Sequence, residues 1–163
     1  METTQKSRPL SAGDEAAVRA LVSDFADTWN RHDMAAMHAL DTKDVEWINV
    51  TGNHWQGVAA VCKGHNNIHR TIFAKTGMKI LSTQVRPIAS GVAIAVATMS
   101  FGPTVTPTGE TLAEQKTRGS FTMVNREGVW KIVHFHNTNV DPIAEAHDPI
   151  TWDETGWRPG DGQ

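Results

Sequence analysis

Residues 58–101, VAAVCKGHNNIHRTIFAKTGMKILSTQVRPIASGVAIAVATMSF, contain the change of rhythm that decides the fold. In the first part, Val58, Val61, Cys62, Ile68 and Ile72 return at helical spacing, while Lys63, Asn66, Asn67 and Arg70 take the opposite side. That pattern predicts an amphipathic helix over 58–73. Beyond it the residues become branched and alternating, so Met78–Ile88 and Val92–Phe101 read as strands around a turn at Ala89-Ser90-Gly91. Further on, Thr111–Asn125 and Val129–Thr138 repeat the strand pattern, with turn signals at Pro103–Gly109 and Asn125–Gly128.

Upstream the rhythm is helical again. Ser11 followed by Asp14 starts a helix that carries Val18, Leu21, Val22, Phe25 and Trp29 on one stripe through Arg31. Asp33 is placed to cap a second, short helix with Met34, Met37 and Leu40 as its apolar residues. Val45–Val50 reads as a strand in which Val45, Trp47 and Asn49 share the inner face and Glu46 the outer. Helices first and long strands afterwards give an α+β fold, with the sheet curved around the helices.

At 163 residues the chain has the size of one domain. We expect a flexible segment at 1–10, a domain over 11–140 and a tail over 141–163 that holds Trp152 and Trp157. Two large aromatic side chains suit a tail packed over a pocket or a second subunit. A net charge of -3 gives no basic excess for nucleic acid. No apolar run approaches the ~18 residues of a membrane span, and Met1–Leu10 has none suited to a signal peptide. The lone Cys62 cannot form an internal disulfide, and these features point to a cytoplasmic protein.

Eight histidines include two close pairs, His65/His69 and His134/His136. A spacing of four on a helix, or two on a strand, sends both side chains the same way. On the last strand strict alternation puts Trp130, Ile132, His134 and His136 together on the concave face, so both pairs are expected to open into one hollow. His32, His38, His54 and His147 read as solvated or capping residues.

The order of elements resembles the cone-shaped family of nuclear transport factor 2, which includes ketosteroid isomerase and scytalone dehydratase. Asp44-Val45-Glu46-Trp47-Ile48-Asn49-Val50-x-Gly52, Trp55-x-Gly57, Ile68-His69 and Trp130-Lys131-Ile132-Val133-x-x-His136-Asn137-Thr138 are similar to the SgcJ/EcaC group of natural-product gene clusters, close to the SnoaL-like proteins. The resemblance implies a cone with three helices in the concave face of a curved, mostly antiparallel sheet. It also implies a pocket between them and a homodimer built through the outer sheet faces.

The pocket is then expected to hold a hydrophobic or polyketide-like small molecule among Trp47, Asn49, Trp55, His65, His134 and Asn137. If the protein is an enzyme, His69 or His136 would carry a proton, oriented by Asp41 or Asp44 at the mouth of the first strand. The expected catalytic set is His69, His136 and Asp44, with Asn49 or Asn137 polarising a carbonyl. No dinucleotide fingerprint follows a strand, and no cofactor is expected. Two alternatives stand beside it: a non-catalytic carrier, and an enzyme holding a divalent metal through His65, His69 and His136.

Overall fold

The computed structural model describes residues 10–106 and 108–151. Helix α1 (Ala12–Asn30) starts as the sequence dictates: the Ser11 hydroxyl oxygen accepts the Asp14 N–H at 3.0 Å. Helix α2 (Met34–His38) is capped by Asp33, whose carboxylate accepts from the Ala36 N–H at 3.0 Å. Strands β1 (Asp41–Ile48) and β2 (His54–Gln56) lead into helix α3 (Val58–His69). Strands β3 (Gly77–Ala89) and β4 (Val92–Gly102) follow, then a two-strand finger, β5 (Thr104–Val105) and β6 (Thr111–Leu112). Strands β7 (Gln115–Arg126) and β8 (Val129–Asn139) close the sheet, and a short α4 (Pro142–Ala146) and a 3-10 turn (Pro149–Thr151) follow.

The six long-range strands run in the order β2-β1-β8-β7-β4-β3, antiparallel except where β1 lies parallel to β8. The fold is therefore the expected mixed α+β cone with a curved, mostly antiparallel sheet. Register shifts at Leu81 and Ile88 in β3 bend the sheet around the helices, as bulges do. Helix α1 lies in the concave face against Ala93, Ala95 and Ala97, which are fully buried, so small side chains on β4 let the helix approach closely. Phe25 then meets Trp47, Phe121 and Phe135 at ring-centroid distances of 5.9, 5.3 and 5.5 Å. Gly119 makes this cluster possible, because a Cβ there would sit 2.9 Å from the Phe135 ring.

Some boundaries differ from the sequence reading. Strand β1 begins at Asp41 because its first residue pairs with Ile132 across the parallel ladder, a contact no local pattern reveals. Helix α3 stops at His69 and continues as turns, and the segment read as one strand over 111–125 is broken at Ala113-Glu114. Of the tail, α4 is held where Lys116 and Arg118 meet Glu145, whereas Trp152 and Trp157 lie outside the described residues. No helix among the described residues is long and apolar enough to cross a membrane.

Candidate active site

One bulge decides which histidines face inward. Ile132 pairs with Met123 and His134 with Thr122, so Val133 is an extra residue on β8. Side chains alternate strictly along a strand, and one inserted residue exchanges the faces of everything that follows. Trp130 and Ile132 point into the cone before the bulge, and Phe135 and Asn137 do so after it. His134 and His136 thus stand on the convex face in the rows of Glu46 and Ile48, and His136 is exposed. The expectation that both line the concave hollow is corrected. The set His65, His69 and His136 cannot converge on one metal, since the sheet separates His136 from the other two. Among the described residues no three histidine, cysteine or acidic side chains are grouped to hold an ion.

The hollow itself is present. A cavity of about 190 Å³ lies between α1, α3 and the sheet, walled by Phe25, Trp29, Trp47, Trp55, Phe101 and Phe135. Trp55 reaches it by lying over Gly64, where a Cβ would come within 2.8 Å of the indole, so the glycine in mid-helix is a seat for the ring. Its polar groups are few. Asn49 stands at the rim with Thr51 and Asn53, but its Oδ1 already accepts the Thr51 N–H, the Asn53 N–H and the Thr51 hydroxyl at 2.8–3.1 Å. Asn49 shapes the mouth. Asn137 lines the cavity from β8, and its Oδ1 is buried without a hydrogen-bond partner.

His65 is the imidazole on the cavity wall, and it is 3% exposed. Its Nδ1 lies 3.1 Å from the Val61 carbonyl oxygen and 3.0 Å from His38 Nε2. A carbonyl can only accept, so Nδ1 carries the hydrogen and Nε2 is left with a lone pair and no hydrogen-bond partner among the described residues. His38 in turn presents Nδ1 to Asp41 Oδ2 at 2.6 Å, and both side chains are almost wholly buried. The three groups form a chain from a buried carboxylate, through two rings, to the cavity. Burial pushes the His65 imidazolium down to about 3, with the neighbouring His38 adding to it and the Val61 carbonyl opposing. Burial raises the Asp41 carboxyl, against the hydrogen bond and charge of His38 and the charge of Lys131.

The other expected groups fall elsewhere. His69 ends α3 behind the cavity wall, its ring edge-on to Trp29 at 4.2 Å and its Nδ1 2.8 Å from His32 Nδ1. Its Nε2 is buried without a hydrogen-bond partner, and burial, with His32 and His38, pushes it down to about 4. Asp44 is on the surface, 3.8 Å from Arg126, so the buried carboxylate at this end of β1 is Asp41. His38, read as a solvated residue, is 5% exposed and central. The signal that could have found it is His38-x-x-Asp41 at a helix-to-strand junction, which turns both side chains into the same cleft.

An apolar cavity inside a helix-filled cone defines a pocket protein of the NTF2-like, or cystatin-like, fold. The chain belongs to the SnoaL-like domain family, whose model matches residues 18–140. It is similar to a structure from Caulobacter vibrioides, an uncharacterized protein with a cystatin-like fold, at 32% identity over 85% of this chain and 98% of that one, with a TM-score of 0.81. At the level of fold it is similar to an NTF2-like protein of unknown function from Pseudomonas putida (14% identity, 80% and 89% covered, TM-score 0.68). It is likewise similar to a hexachlorocyclohexane dehydrochlorinase from Novosphingobium barchaimii (14% identity, 79% and 88% covered, TM-score 0.71). No curated protein matches the sequence.

Proposed function

We propose that the chain is an enzyme that moves a proton on a neutral, apolar, ring-sized molecule, as a lyase or isomerase, with His65 Nε2 as the group that meets the substrate C–H. The observation that carries this reading is the bare Nε2 lone pair of a buried imidazole on the wall of an apolar cavity. A neutral imidazole there is a general base, and a base positioned in this way contributes about 10²–10⁴-fold in rate. The cavity, about 190 Å³, sets the substrate size. An apolar cavity of roughly 150 Å³ holds benzene, so one ring with small substituents fits and a fused polyketide does not. Asn137 Oδ1 would accept a hydroxyl or N–H of the substrate. The dehydrochlorinase among the similar structures is named for a single-ring substrate, which supports the size.

Within its family we place the chain near the SgcJ/EcaC group on Trp47, Gly52, Trp55, Gly57 and His136-Asn137-Thr138. We assign a homodimer contact to the convex face, where Ile94, Val96 and Thr122 are half-buried, and a cytoplasmic setting on the unpaired Cys62.

The test is a panel of cyclic ketones, cyclic alcohols and halogenated cyclohexanes incubated in D₂O and followed by proton NMR for exchange or elimination. Wild type and His136→Ala should turn over one class, and His65→Gln should be slower by about 10²–10⁴-fold. Equal rates for His65→Gln and wild type would refute the proposal, and binding without any turnover would favour a carrier.

A further inference from the structure

We infer that His65, His38 and Asp41 form a proton relay in which the charge gained at the cavity is held on His38 against Asp41, one ring away from the substrate. The inference rests on the reading of His65 as the base, and it assigns Asp41 and His38 as positioning residues for it.

At rest two acceptors fix every hydrogen in the chain. Asp41 Oδ2 accepts from His38 Nδ1–H at 2.6 Å, which leaves His38 Nε2 as an acceptor. The Val61 carbonyl and His38 Nε2 both draw on His65 Nδ1–H, which leaves Nε2 as the uncommitted nitrogen of a ring that lines the cavity. When a substrate C–H breaks, its proton forms a bond to His65 Nε2 and the electron pair stays on the substrate, to form a new double bond or expel a leaving group. The Nδ1 proton of His65 then crosses 3.0 Å to His38 Nε2. His65 is neutral again, now with its hydrogen on Nε2, and His38 is an imidazolium paired with the Asp41 carboxylate. In isomerisation the same Nε2–H returns its proton to another substrate atom, and the Val61 carbonyl draws the hydrogen back to Nδ1.

The surroundings favour this location for the charge. Among the described residues no carboxylate contacts His65, and His69 is a second imidazole with its centroid 6.5 Å away, backed by His32. His38 has Asp41 from β1 in direct contact. Lys131 from β8 donates to the Ala39 carbonyl and acts on Asp41 by its charge, and Cys62 from α3 approaches Met34 on the same helix as His38. The edge of Trp47 covers both rings, at 5.7 Å from His38 and 4.8 Å from His65. Water is thereby kept from the exchange.

Nitrogen-15 NMR of histidine-labelled, ligand-free protein tests the relay without any substrate, so it can fail independently of the turnover assay. As pH is lowered, His38 should become doubly protonated while His65 stays neutral and exchanges Nδ1–H for Nε2–H in the same transition. In Asp41→Asn that transition should move to lower pH by roughly 1–3 units, the usual effect of removing an adjacent opposite charge. A His65 that becomes doubly protonated while His38 is neutral, or that keeps Nδ1–H throughout, would overturn the relay. So would an unshifted transition in Asp41→Asn. If that variant does not fold, the wild-type titration decides alone.

Discussion

The two buried histidines of α3 should make the fold acid-sensitive well above the range in which carboxylates protonate. His65 and His69 are held neutral, down to about 3 and about 4 from an ordinary 6.5. In the unfolded chain both rings take up protons as pH falls through 6.5, and in the native state they do not. The unfolded state therefore binds more protons between roughly pH 6.5 and 4, so native stability is complete above that window and is lost as pH falls through it. At pH 5 each ring should cost about 2 kcal/mol, since one pH unit below the unfolded pKa is worth about 1.4 kcal/mol. Asp41 works the other way: its raised carboxyl gains a proton in the native state first, which offsets part of the loss. We expect a net drop of about 2–4 kcal/mol between pH 7.5 and pH 5, against a typical total of roughly 5–15 kcal/mol. Urea unfolding followed by tryptophan fluorescence reads this directly. An unchanged midpoint between pH 7.5 and 5 would mean that the rings are not buried neutral, and the site geometry would be wrong.

Other perturbations separate the cavity from the surface. Gly64→Ala should push the Trp55 indole aside, because the new Cβ begins 2.8–2.9 Å from three of its ring carbons. The helix gains about 1 kcal/mol of propensity from the same change, so thermal stability should move little while affinity for a cavity ligand falls. Unchanged affinity would remove Trp55 from the ligand's surroundings. His136→Ala should leave both stability and ligand affinity within about 0.5 kcal/mol of wild type, as expected for a surface position, and a lost cavity ligand in calorimetry would contradict the outward assignment. Asp44→Asn should behave in the same way, whereas Asp41→Asn should lower turnover.

The order of elements was legible because each carries a strong local period or cap: Ser11 and Asp33 are N-caps in the molecule, and the turns at Gly91 and Gly128 have the positive φ their glycines allow. The pocket-facing roles of Trp47 and His65 followed from strand alternation and helical spacing, whereas Trp55 and Asn137 were placed there by the family resemblance, and strict alternation along the last strand alone would have turned Asn137 outward. The closing strand misled because alternation was carried through Val133. Adjacent Ile132 and Val133, with an aromatic Phe135 in the same phase as Lys131, are the sequence trace of the inserted residue. The buried chain was missed for a different reason. His38 and Asp41 meet His65 only when α2, β1 and α3 pack together, and no periodicity within one element contains that information.

The most direct measurement is a crystal structure of His65→Gln soaked with the compound that wild type converts. The ligand should lie inside the cavity, with its reacting carbon within about 4 Å of the side chain at position 65, the range of a near-attack contact plus the shorter reach of the substitution. A hydroxyl or N–H of the ligand should rest on Asn137 Oδ1. A ligand seated on the convex face beside His134 and His136, or one in the cavity with its reactive carbon turned toward Phe101, would refute His65 as the base.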